Sequence, residues 1–483
     1  MRISSWLIPL AIANLATAKE TVLGVYIFSR HGDRTAKSTP PSNLTDLGYQ
    51  EVFTSGTYFR NRYVAADATR RIHGLDSDLI KQSQITASAP SDVVIANSAQ
   101  GFLQGLYPPV GEQLGSNTLR NGTLIRSPLN GYQLIPIQAI QSGSDSENSA
   151  WLQGSTNCAN AMISSNNYFV SAQFLETLNY TQSLYERIYP DVAKTFTEDQ
   201  TNFQNAYVVW DLLNVASIHN ASATLPDDDD FFQLKTLADQ HEFGLAYNAS
   251  EPIRAVTGSI LGAQVVSALN TTISGHGASK LNIQFGAYGG MLSFFGLSNL
   301  TSVKPDFYGV PDYASTLTWE LVTNATVNSS SWPSADDIYV RFLFHNGTTS
   351  NISEPVEYPL FGSNKSPVPW NDFVNGMNKF AVSGQAAWCQ ACGNSTGVCS
   401  AAALDTDSGT PSGGGNPSSS KSGGSGISKA VCGVIGAMVT LGVVLGAELL
   451  LMLLGGLRLV SKKRLRDPAT NGVASDGRGK SGA

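Results

Sequence analysis

Seven residues near the start of the chain, Val22, Leu23, Gly24, Val25, Tyr26, Ile27 and Phe28, follow one another without a charge. A run this short, rich in β-branched and aromatic side chains, predicts a buried strand. It stops abruptly on Ser29, Arg30, His31, Gly32, Asp33 and Arg34. Downstream, residues 50–63 predict a helix, 85–89 a short strand and 93–106 a second helix. Residues 151–189 and 206–216 place apolar positions at helical spacing. Residues 281–285 alternate like a late strand, a helix is expected from Met291, and 338–344 predict a further strand.

The first strand carries the chemistry. Two guanidinium groups and an imidazole stand where it ends, and the carboxyl ends of strands are where open α/β sheets bind ligands. Paired arginines suit a phosphate, and a histidine between them suits attack on phosphorus. Gly32 would let the backbone turn and a ligand approach closely. Arg-His-Gly alone is equally well explained by a structural histidine. The longer Arg30-His31-Gly32-x-Arg34-Thr35 is far more specific. It resembles the opening of the histidine acid phosphatases, a branch of the phosphoglycerate-mutase-like superfamily. Leu44-Thr45-x-x-Gly48 leading into Phe59-Arg60-Asn61-Arg62-Tyr63 resembles the same family. So do Ser98-Ala99-Gln100 before Gly105-Leu106-Tyr107-Pro108-Pro109, and Pro311-Asp312-Tyr313-Ala314-Ser315 with Trp319-Glu320. The likeness covers most of residues 20–400.

The resemblance implies an α/β fold, a three-layer sandwich with a mainly parallel sheet and a mostly helical cap at roughly residues 111–250. It implies a phosphomonoester hydrolase in which His31 becomes a phosphohistidine while Arg30 and Arg34 neutralise the phosphoryl oxygens. The implied partner is a small phosphorylated substrate or ligand, and the mechanism needs no metal or organic cofactor. Three family positions are replaced. A third phosphate-binding arginine, expected one helical turn before Ser98-Ala99, is Val94, which has no donor. The His-Asp pair that protonates the leaving alcohol is Tyr288-Gly289. Glycine has no proton to give, and a tyrosine with a reference pKa of about 10 is a poor acid at low pH. Two functions follow. One is an acid phosphatase using a substitute acid, such as Asp33, or a leaving group that needs none. The other is a catalytically impaired ectodomain that binds a phosphate ligand or serves at the cell surface.

Charge and processing signals narrow the setting. The net charge is −7 and only 14% of residues are charged, which argues against nucleic acid as a partner. Residues 1–18 read as a secretory signal ending Ala16-Thr17-Ala18, so 19–400 would be the ectodomain. About a dozen Asn-x-Ser/Thr sequons, among them Asn43, Asn121, Asn248 and Asn346, suit a glycoprotein. Cys158, Cys389, Cys392 and Cys399 suffice for two disulfides; Cys389-x-x-Cys392 as a metal or redox pair is the less favoured alternative. Residues 401–429 form a Gly/Ser-rich stalk, and 430–457 are apolar enough to cross a bilayer. The basic residues in 458–483 make that tail cytoplasmic, hence a single-pass type I membrane protein with an extracellular or lumenal ectodomain. The acidic run at 227–230 is expected to lead into a helix, and His241-Glu242 to be a structural pair on one. His73, His219, His276 and His345 stand alone and are expected to be structural or exposed.

Overall fold

The computed structural model describes residues 20–140, 157–328 and 331–400. The expected signal, stalk, membrane span and tail lie outside the described residues.

Strand β1 (Thr21–Arg30) is buried at every position from Val22 onward. Its side chains feed two layers. Val25 and Ile27 pack with helices α1 (Asp46–Phe59) and α2 (Val93–Leu106). Tyr26 and Phe28 meet the layer that holds α8 (Val256–Ser274) and α9 (Tyr288–Leu297). A strand covered on both faces needs no polar alternation, which explains the unbroken apolar run.

β1 pairs in parallel with β6 (Leu281–Gly286) and antiparallel with β7 (Thr316–Thr323). Beyond β6, the strands β2 (Ile85–Pro90) and β5 (Ile137–Ile140) continue the parallel half. Beyond β7, β8 (Ile338–His345) is antiparallel and carries β9 (Val356–Glu357) and β10 (Val368–Pro369). The order is β10-β8-β7-β1-β6-β2-β5, with β9 on β8; β3 (Ser116–Thr118) and β4 (Leu124–Arg126) form a separate hairpin. The sheet is therefore parallel on one side of β1 and antiparallel on the other.

α1 starts on Thr45, whose side chain accepts the Gly48 N–H, and α2 on Asp92, which caps Ile95. The two helices pack closely, and a Cβ on Gly105 would lie 2.2 Å from the Phe53 carbonyl oxygen. Between residues 159 and 246 come five helices: α3 (Ala159–Asn167), α4 (Ala172–Tyr180), α5 (Gln182–Val192), α6 (Ala206–His219) and α7 (Asp228–Ala246). The apolar side chains of α4 to α7 join those of α8, α9, β7 and β8 in one cluster, while Ala161 of α3 packs with the disulfide cysteines. The acidic run begins α7: Asp227 caps the Asp230 N–H, and Asp230 pairs with Arg187. α8 is long and apolar, and here it packs on β1 and α9. The chain then runs through α10 (Trp370–Met377) and α11 (Gly384–Cys392). Disulfides join Cys158 to Cys392 and Cys389 to Cys399, so Cys389 and Cys392 have different partners.

Candidate active site

The loop after β1 is pinned from three sides. The Arg30 N–H donates to the Ser315 carbonyl at 2.9 Å, and the His31 N–H to that of Gly286 at 3.3 Å. The Gly32 N–H donates to Ser98 Oγ at 3.1 Å, and Ser98 in turn donates to the Val94 carbonyl at 2.8 Å. The reason for glycine at 32 differs from the expected one. A Cβ there would lie 2.2 Å from the Gly48 carbonyl oxygen, so the close approach is to α1 rather than to a ligand.

Arg30, His31 and Arg34 come together behind a wall of tyrosines. Arg30 is 3% exposed, and His31 and Arg34 are fully buried. The His31 Nδ1 lies 2.8 Å from the Gly32 carbonyl oxygen. A carbonyl only accepts, so in the neutral ring Nδ1 carries the hydrogen and Nε2 the lone pair. The Arg30 Nη1 donates to the Pro311 carbonyl, while its Nε has no hydrogen-bond partner among the described residues. Its guanidinium lies between the rings of Tyr313 at 4.6 Å and Tyr288 at 5.0 Å. The Tyr313 ring is also 5.7 Å from the His31 ring. Burial pushes the Tyr313 hydroxyl pKa well up, so it stays neutral.

Arg34 already has a carboxylate. Its Nη1 is 3.0 Å and 3.1 Å from the two oxygens of Asp211 on α6, and its Nη2 donates to the Tyr207 hydroxyl at 3.3 Å. Asp211 is fully buried and also accepts the Lys37 N–H at 2.8 Å. One carboxylate in the apolar stretch Val208-Val209-Trp210-Asp211-Leu212-Leu213 was the available signal for a buried basic partner.

Val94 is buried on α2 one turn before Ser98 and brings only its carbonyl. Tyr288 and Gly289 open α9 directly after β6. The Tyr288 hydroxyl donates to Glu242 Oε2 at 2.8 Å, and Glu242 Oε1 is 2.8 Å from His241 Nδ1. His241-Glu242 thus serves Tyr288, and its imidazole is boxed by Phe169, Phe174 and Phe203.

Asp33 ties the motif loop to the start of α1 and the end of α6. Its Oδ2 accepts from the Thr45 hydroxyl and lies 2.6 Å from His219 Nε2, whereas Oδ1 has no hydrogen-bond partner among the described residues. The expectation that His219 stands alone is corrected: the end of α6 brings it onto the motif loop. Glu51 also joins, accepting the Asp33 N–H at 2.8 Å. Burial lifts its carboxyl to about 7, against the pull of the Asp33 N–H and Arg30. A cavity of about 230 Å³ touches Arg30, Glu51, Trp210, Asn214, Pro311 and Tyr313. A far larger one, about 1230 Å³, lies beside α7 and residues 304–311, and none of the motif residues lines it.

Comparison with known proteins bears on the family and the fold. The profile of the histidine phosphatase superfamily (branch 2) matches residues 39–345, more than half of the chain. The matched span begins after Arg34, so it stands independently of the motif. Among curated proteins, none matches the sequence. In three dimensions the chain is similar to the apo phytase of Hafnia alvei (TM-score 0.50, 10% identity, covering 77% of this chain and 99% of that one). It is similar also to the phytase of Citrobacter braakii (TM-score 0.50, 11% identity, covering 77% and 99%). At such identities the likeness concerns the fold. The chain belongs to the histidine phosphatase superfamily, branch 2.

Proposed function

We propose that this protein hydrolyses small phosphomonoesters through a phosphohistidine at His31. The observation that carries the reading is the 2.8 Å contact between His31 Nδ1 and the Gly32 carbonyl oxygen, which calls for the hydrogen on Nδ1 and leaves the nucleophilic lone pair on Nε2. Arg30 supports it, being a buried cation with an unpaired Nε–H, ready for an anionic oxygen. His31 attacks phosphorus, Arg30 and Arg34 take the phosphoryl oxygens, and water releases inorganic phosphate from the intermediate. Because His31 is fully buried and Tyr313 lies against it, substrate has to displace that ring.

The second reading, a phosphate-binding protein with little turnover, is favoured by the Arg34–Asp211 pair. A phosphoryl group must compete there with a carboxylate already in place. Relatives whose names specify inositol phosphates, such as the multiple inositol polyphosphate phosphatase of Bifidobacterium longum, suggest the ligand class to try first.

The test is phosphate release by the full-length protein beside His31→Ala, at acidic and neutral pH. Release that disappears in the variant is the expected result. Equal slow release from both proteins would sink the hydrolase and leave the binding protein. As to setting, we propose a type I membrane glycoprotein held by residues 430–457. Protease protection of the 458–483 tail in sealed vesicles tests that orientation.

A further inference from the structure

Glycine at 289 leaves the proposed reaction without its proton donor, and the structure offers another carboxyl. Glu51 lies on α1, whose start is fastened to the motif loop where Thr45 bonds Asp33. Its Oε2 is occupied by the Asp33 N–H, two residues past His31. Oε1 has no hydrogen-bond partner among the described residues, and Glu51 lines the 230 Å³ cavity together with Arg30. On the same cavity Arg30 brings its unpaired Nε–H. An anion-seeking donor and a carboxyl thus share one small chamber, walled by Trp210 and Asn214 of α6 and by the Pro311–Tyr313 loop.

We propose that Glu51 gives the proton to the leaving oxygen of a phosphomonoester bound at Arg30, in place of the aspartic acid missing at position 289. This inference rests on the hydrolase reading above. As the bond from His31 Nε2 to phosphorus forms, the ester P–O bond breaks. Its electron pair stays on the leaving oxygen, which takes the Glu51 proton and departs as the alcohol. Water then adds to phosphorus, passing one proton to a phosphoryl oxygen, and the Glu51 carboxylate regains its proton from solvent. The N–P bond breaks with its pair returning to Nε2, and inorganic phosphate leaves.

The chamber keeps Glu51 fit for this task. Burial is the largest influence and raises its carboxyl to about 7, so it holds a proton throughout the acidic range. The charges that reach it are Asp33 and Arg30 from the end of β1 and Asp312 from the loop before β7. The residues that α6 and the Gly347–Thr348 turn present to the chamber carry no charge. A merely structural Glu51 would only hold the Asp33 N–H, and Glu51→Gln keeps a carbonyl for that bond while removing the acid.

The experiment uses full-length wild type, Glu51→Gln and His31→Ala with two esters. One is para-nitrophenyl phosphate, whose leaving group needs no proton; the other is glycerol phosphate, whose alkoxide does. In Glu51→Gln, glycerol phosphate hydrolysis should fall by about 10²- to 10⁴-fold and para-nitrophenyl phosphate by less than about tenfold. The decline of wild-type kcat/KM for glycerol phosphate near pH 7 should disappear. Equal losses on both esters, or none, would overturn Glu51 as the donor while His31-dependent release upholds the hydrolase. An absence of His31-dependent release from either ester overturns the hydrolase and takes the role of Glu51 with it.

Discussion

Two buried groups of charge share the central sheet, and they are built differently. One surrounds Glu320 on β7, the register partner of Val25 on β1. Oε1 of Glu320 accepts from Arg62 at 2.8 Å and Tyr63 at 2.6 Å, and Oε2 from Arg70 at 3.2 Å and Arg341 at 3.0 Å. Arg70 and Arg341 also hold Glu20. Burial would raise the Glu320 carboxyl, yet the arginines and the Tyr63 hydrogen bond bring it below the usual carboxylate range. The other group is at the end of β1, where Arg34 has Asp211 but Arg30 has a carbonyl, two ring faces and, among the described residues, no carboxylate ion pair. A carboxylate saturated on both oxygens is a clamp. A buried guanidinium with a donor to spare is a receptor for an anion, and that contrast, more than the presence of charge, separates framework from site.

The contrast breaks most visibly at Glu320. Glu320→Ala takes a carboxylate from three arginines, leaves Arg62 with none among the described residues, and should cost about 3–5 kcal/mol in a denaturant titration. The pH dependence has a definite sign. A depressed carboxyl stabilises fully above its unfolded pKa, and that stabilisation fades as pH falls through the folded value. The variant should lose this part of the acid sensitivity, and an unchanged acid transition would contradict the clamp. Asp211→Asn comes next. It should lower stability by about 3 kcal/mol in plain buffer, since it leaves Arg34 buried without its counterion. Added phosphate should restore most of this, by about 2.7 kcal/mol at a hundred times its dissociation constant. Melting curves with and without phosphate check it, and a phosphate response equal to that of wild type would make Arg34 a framework residue. The smallest effect belongs to Tyr288→Phe. Loss of the bond to Glu242 should cost about 1–2 kcal/mol by thermal melting. Phosphate release should remain within about threefold of wild type, whereas a fall of about a hundredfold would make Tyr288 the acid.

The parts of the molecule legible in the sequence are those written contiguously. β1 and its Arg30-His31 terminus are one unbroken stretch, and α2 fills the expected 93–106 because a single apolar stripe runs along it. The expected strand at 338–344 appears as β8. β7 was hidden by its own composition, for Thr316, Thr318, Glu320 and Thr323 are polar and buried all the same. The site was half legible. Arg30, His31 and Arg34 could be singled out, but Asp211 lies 177 residues from Arg34 and His219 lies 186 from Asp33. Such partners are made by α6 folding onto the loop, and no local pattern announces them. Glu51 falls within the expected helix 50–63, and no local pattern singles it out. Only its burial beside the loop changes its chemistry.

The two disulfides bear on mechanics as well as on stability. The Cys389–Cys399 bond spans 10 residues, and Cys158–Cys392 spans 234 to the start of α3. Tension applied to the chain beyond Ser400 therefore enters the domain through Cys399, crosses α11 and arrives at α3 by covalent bonds. It bypasses β8, β10 and α10, which would otherwise unzip first from a pulled C-terminus. Load on the C-terminal side is thus taken first by the end of α11, the start of α3 and the two sulfur–sulfur bonds.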